Sequence, residues 1–192
     1  MPVEFLTPPK ASVEMLRAAI TGRVSRTAST LDLSPPQHSH ALPVFDFGVQ
    51  DIVDGKGMDA ARQVSWRYLF FTPDEPVMGA EVNCKYPAET HVFSLFNHGR
   101  CNAGTLAALE MAHMRKEVRR ATYQLAALRI PTLGLFAIWL RHVAGGPDLL
   151  IPVQPAPSIV NAGHCYQVAD LFELLQESAG RALEFATRRW PR

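Results

Sequence analysis

Leu125–Pro157, LAALRIPTLGLFAIWLRHVAGGPDLLIPVQPAP, has the pattern of the centre of a fold. From Ile130 to Leu140 it carries no charge and a single hydroxyl, Thr132. A Gly145-Gly146-Pro147 turn follows, and then a second apolar run, Leu149–Val153. Two apolar runs across a tight turn predict a hairpin. On a strand, Leu133, Leu135, Ala137 and Trp139 point one way, and Gly134, Phe136, Ile138 and Leu140 the other. Both faces are therefore apolar, which a strand with one wet face does not tolerate. Either helices cover this strand on both sides, or a second subunit covers one of them. The run is too short to cross a bilayer and ends in Arg141-His142. Pro131 cannot donate to a ladder and marks a strand start or an edge.

Outward from this centre the pattern changes. Val64, Trp66, Tyr68 and Phe70 alternate with Ser65, Arg67 and Leu69, the period of a strand with one face buried. Met78, Ala80, Val82 and Cys84 alternate with Glu81, Asn83 and Lys85. A turn at 72–76 joins the two, so an antiparallel hairpin is expected. Val44–Val53 also reads as a strand, His91–Phe96 as a short one, and Tyr123–Ile130 as strand-like.

Helical signals are fewer. Thr7-Pro8-Pro9 prepares a start, with Val13, Leu16 and Ile20 at helical spacing up to Gly22. Asn102 is a candidate cap for a helix reaching about Arg120, striped by Leu106, Leu109, Met114 and Val118. Val168, Leu171, Phe172, Leu175, Ala179 and Leu183 mark a final amphipathic helix. Residues 23–42, rich in Ser, Thr and Pro, read as an irregular surface loop or arm. The expected architecture is a single α+β domain over 1–192, with a mainly antiparallel sheet and about three helices packed on it.

Composition bounds the function. With 47% hydrophobic and 19% charged residues in 192, the chain is ordinary globular material able to bury a core. Nineteen basic and eighteen acidic residues give a net charge of +1, without the bulk positive field that phosphate neutralisation requires. No nucleic-acid partner is expected. Arg115, Lys116, Arg119 and Arg120, and the basic tail with Arg188, Arg189 and Arg192, read as a solvated helix face and a terminus. Three cysteines, Cys84, Cys101 and Cys165, suit reduced thiols better than a disulfide framework. No signal peptide and no spanning run are visible, so a soluble cytoplasmic protein with no membrane partner is expected.

Chemistry has one loop on which to settle. Asn97-His98-Gly99-Arg100-Cys101-Asn102 precedes the central helix, whose N-terminal N–H groups attract anions and lower a nearby thiol pKa. His98 and Cys101 are the catalytic candidates there, and Arg100 and Asn102 the ligand-binding ones. The structural alternative is a capped loop with Cys101 packed as a small hydrophobe. His98-x-x-Cys101, His164-Cys165 and His38-Ser39-His40 are too sparse for a metal site, and neither metal nor cofactor is expected. Asp54-Gly55-Lys56-Gly57 lacks phosphate-loop spacing and reads as a turn. Trp66 and Trp139 read as core, each with its indole N–H hydrogen-bonded.

Two function classes follow. The first is a non-catalytic module that assembles with itself, as a homo-oligomer, or with a protein partner, motivated by the doubly apolar strand. The second is an enzyme or an anion- or small-ligand-binding protein using the His98–Asn102 loop.

Overall fold

A computed structural model of the chain describes residues 3–24, 39–72, 75–85 and 90–189. The alternation between 62 and 85 builds an antiparallel hairpin of β3 (Arg62–Thr72) and β4 (Glu75–Lys85). β5 (Thr90–His98) pairs antiparallel with β4, and β2 (Ser39–Asp46) antiparallel with β3. The 125–157 stretch supplies most of β6 (Tyr123–Ile130), all of β7 (Leu135–His142) and β8 (Leu149–Pro152), an antiparallel meander. A short β9 (Tyr166–Gln167) pairs with β8. β6 runs parallel to β2 and to the short β1 (Val3–Phe5). Among the described residues, one nine-stranded sheet results, in the order β5-β4-β3-β2-β6-β7-β8-β9 with β1 beside β6. The helices are α1 (Lys10–Val24), α2 (Val49–Val53), α3 (Arg100–Met114), α4 (Lys116–Arg119) and α5 (Val168–Arg189). The class is α+β, as expected, with more strands than the sequence suggested.

Ladder partners share a face, so the pairing Ser65–Val44–Ala127–Ile138–Ile151 traces one side of the sheet. α3 covers that side: Ala108, Leu109 and Ala112 pack with Leu42, Leu69, Leu125, Ile138, Leu140 and Ile151. The opposite side has two covers. Leu16 and Ile20 of α1 pack on Trp66, Tyr68, Phe70, Ala80 and Val82. Leu171, Leu175 and Ala179 of α5, with Ile52 of α2, pack on Ala126, Leu128, Ala137, Trp139 and Leu150. The doubly apolar β7 therefore lies between α3 and α5 of its own chain. Pro131 starts a 3-10 turn, Pro131–Leu133, that joins β6 to β7 through Gly134, whose φ of 63° is left-handed.

Four expectations change. Residues 44–53 are not one strand: β2 ends at Asp46 and Val49–Val53 is helical. The central helix begins at Arg100, and Arg115, with extended backbone, separates α3 from α4. The polar side of β3 and β4 is covered at its centre, where the first turn of α3 packs on it: Ser65, Arg67 and Glu81 are 0, 6 and 3% exposed. Of the expected loop at 23–42, residues 23 and 24 close α1, residues 39–42 open β2, and 25–38 lie outside the described residues.

Candidate functional site

Hydrogen-bonded residues buried on the α3 side of β3 and β4 form the most concentrated polar group in the described structure. Arg67 and Glu81 are direct cross-strand partners, and Asp46 and Arg129 are partners across the parallel β2–β6 ladder. The Glu81 carboxylate joins the two pairs. Its Oε1 accepts from Ser65 Oγ at 2.6 Å and from Arg129 Nη1 at 2.8 Å, and its Oε2 faces Arg67 Nη1 at 3.5 Å. Arg129 Nε also donates to Asp46 Oδ1 at 2.7 Å. Burial alone would depress the Arg129 pKa, but the hydrogen bond to Asp46 and the charges of Glu81 and Asp46 outweigh it and raise the value.

The first turn of α3 closes this group from above. Arg67 Nη2 donates to Asn102 Oδ1 at 2.6 Å, and its guanidinium lies 5.2 Å from the Phe136 ring centroid. Asn102 is 1% exposed and sits against Gly79, where any Cβ would overlap its carboxamide. The glycine on β4 thus lets the helix approach the sheet closely. Asn102 does not cap α3. The cap position is Gly99, which makes no side-chain capping bond, and Asn102 spends its side chain on Arg67.

The four loop candidates go separate ways. Arg100 is exposed, Asn102 is buried under the helix, and Cys101 lies between these extremes. Cys101 packs against the core cluster beneath α3, with Sγ 3.9 Å from Arg67 Nη2. His98 ends β5 opposite Met78, and its side chain lies outside what the structure describes. Among the described residues no group of three or more His, Cys, Asp or Glu side chains is arranged to hold a metal ion. His40 stacks on Phe5 with centroids 4.3 Å apart; burial, then the charge of His113, lowers its pKa. Cys165 packs on the core while His164 stands exposed against Tyr166, centroids 4.4 Å apart.

Comparison with family models, curated proteins and solved structures finds no match. Chemistry must therefore be read from the group itself. Two guanidinium groups face two carboxylates, so it is neutral as a whole. Ser65 is 0% exposed and Glu81 3%, so their short hydrogen bond is closed to a diffusing substrate. Arg67 Nε is buried with no protein partner. This arrangement ties β2, β3, β4, β6 and α3 together and leaves one donor spare.

Sequence reasoning missed the network. Nothing in a single sequence pairs Asp46 with Arg129 or Glu81 with Ser65. The available signal was Arg67 and Glu81 at facing positions of the expected hairpin, opposite charges on what read as a solvent face.

Two grooves lie farther along the molecule. One, of about 380 Å³, runs between α3 and the segment after β8, lined by Gly104, Ala107, Met111, Arg115, Val153 and His164. The other, of about 700 Å³, lies beside the N-terminal half of α5, lined by His164, Tyr166, Asp170, Glu173, Leu174 and Glu177.

Proposed function

We propose that the protein is a non-catalytic module that works by assembling with itself, without a cofactor. The observation that carries this reading is the outer flank of α5, where Leu174 and Phe185 are 42 and 64% exposed among charged side chains. Exposed apolar groups on a regular helix cost nothing when a partner covers them, and such surfaces mark interaction sites. The doubly apolar β7 no longer argues for a second copy, because α3 and α5 already cover it. The charged groups buried under α3 neutralise one another, and the loop candidates diverge, which weighs against catalysis at that loop. A reducing cytoplasmic setting accords with free Cys84, Cys101 and Cys165, two of which, Cys84 and Cys165, have thiols pushed up in pKa by burial.

Light scattering coupled to size exclusion tests the reading. A mass above the 21.2 kDa of one chain, rising with concentration, is expected. A monomer at every concentration overturns it.

A second reading has one observation in its favour, the spare Arg67 Nε beneath the first turn of α3. A small anion would be drawn there by the guanidinium and the helix N-terminus together. Thermal unfolding with and without inorganic phosphate distinguishes it: stabilisation lost in Arg67→Met supports anion binding, and no stabilisation removes it.

A further inference from the structure

The groove of about 380 Å³ beside α3 has apolar walls and one cationic end. Ala107, Ala108 and Met111 line it from the helix, and Val153 from the segment after β8. Two glycines set its shape. A Cβ on Gly104 would meet the Gln154 carbonyl oxygen at 2.8 Å, so the helix lies directly on the segment there. Gly163, at a left-handed φ of 77°, packs against Met111, and its N–H donates to the Pro152 carbonyl at 2.8 Å. Gly104 and Met111 are two turns apart, about 10 Å along the helix. Past Met111 the helix stops at Arg115, whose Nη2 donates across the groove to the Gly163 carbonyl at 3.2 Å. That bond holds a half-buried guanidinium at the groove's end, beside His164. Among the described residues Arg115 pairs with no carboxylate, and no Asp or Glu lines the groove. Glu110 and Glu117, the acids nearest in sequence, are exposed and outnumbered by Arg115, Lys116, Arg119 and Arg120. Asp170, Glu173 and Glu177, across His164, line the other groove.

We propose that this groove binds a short aliphatic monocarboxylate, its carboxylate on Arg115 and its chain running past Met111 and Ala107 toward Gly104. The site goes beyond the self-assembly reading and does not depend on it. A guanidinium with Nη2 fixed on Gly163 has further planar donors for a carboxylate, and its half-burial strengthens such a pair. One cation matches a single negative charge; a phosphate dianion would leave one charge uncompensated. Hydrocarbon walls reward an apolar body, and the volume sits at the small end of the roughly 300–1,000 Å³ of small-molecule sites. The basic cluster at Arg115, Lys116, Arg119 and Arg120 thereby gains a role. Arg115 reaches the groove, and the other three add to the local potential that draws an anion to it.

Octanoate, titrated into the full chain by isothermal calorimetry, tests the site. Saturable binding to the wild-type chain is expected. Butanoate is expected to bind at least about tenfold more weakly, because it buries fewer methylenes. Octanol and octylamine, which lack the carboxylate, are expected to lose at least about tenfold as well. This ligand series reads the chemistry without any substitution, and two variants then place the site. Arg115→Gln removes the cation. Ala107→Trp fills the groove from an exposed helix position, where a larger side chain leaves the core alone. Each is expected to raise the octanoate dissociation constant at least about tenfold, with circular dichroism checking the fold. No saturable octanoate binding overturns the proposal. Octylamine or octanol bound as tightly as octanoate overturns the carboxylate assignment, and butanoate bound as tightly overturns the apolar body. Octanoate binding that either folded variant keeps at wild-type strength puts the ligand elsewhere and overturns this groove.

Discussion

Glu81 concentrates the residue-scale physics of this molecule. Its carboxylate is 3% exposed and, from β4, serves a serine and two arginines on two other strands, β3 and β6. Among the described residues Arg67, 6% exposed, has Glu81 alone as a carboxylate partner, whereas Arg129 also has Asp46. Glu81→Gln keeps the shape but removes the charge, leaving Arg67 buried without a counter-ion. Breaking a buried pair from one side costs about 3–5 kcal/mol. Asp46 is 35% exposed on its side chain, and water screens what it loses, so Asp46→Asn is expected to cost under about 1 kcal/mol. Urea unfolding of the two variants measures the contrast; equal losses would mean that burial does not set the strength of this network. The residues themselves were legible as facing charges on a hairpin. Their burial was not, because alternation reports polarity, and a polar face covered by a helix alternates as well as a wet one.

At the scale of elements, the β7–β8 hairpin shows what pattern reading captures and what it omits. The two apolar runs and the Gly145-Gly146-Pro147 turn were plain in the sequence, and so was the α5 stripe. The clamp across the hairpin was not. Asp148 Oδ2 accepts from the Trp139 indole N–H at 2.8 Å, and its Oδ1 accepts from the His142 backbone N–H at 2.7 Å. His142 Nδ1 in turn accepts from the N–H groups of Ala144 and Gly146 at 3.1 and 3.0 Å. One carboxylate and one imidazole thus satisfy most of the donors that the turn leaves over. Asp148→Ala orphans the indole and the His142 amide, at an expected cost of about 2–4 kcal/mol in thermal unfolding. Asp148→Asn, which retains one acceptor oxygen, is expected to lose roughly half as much. A red shift of tryptophan emission in the alanine variant would report the loosened ring; stability unchanged from wild type would refute the clamp. The elements misread from sequence were the short ones. Val49–Val53 spans too few residues to show a helical period, and its valines and isoleucine favour a strand reading. Extended backbone at one residue, Arg115, parts α3 from α4; nothing in the stripe of Leu106, Leu109, Met114 and Val118 marks it.

At the scale of the whole molecule, the two apolar faces of β7 allowed two covers in the sequence, helices or a second chain. The fold chooses helices: α3 packs on one side of β7 and α5 on the other. That choice has a thermodynamic signature. Ile138 faces α3 and Leu128 faces α5, and both are 0% exposed. Ile138→Ala and Leu128→Ala each leave a cavity, with an expected loss of about 2–5 kcal/mol. Since both covers belong to the same chain, neither loss should depend on protein concentration. Each loss is read against wild type at the same concentration, so that association through any other surface cancels. Were a second subunit the true cover of one face, that face's variant alone would lose further stability on dilution. Chemical unfolding of both variants at widely spaced concentrations separates the two cases, and coincident curves assign the whole core of this sheet to one chain.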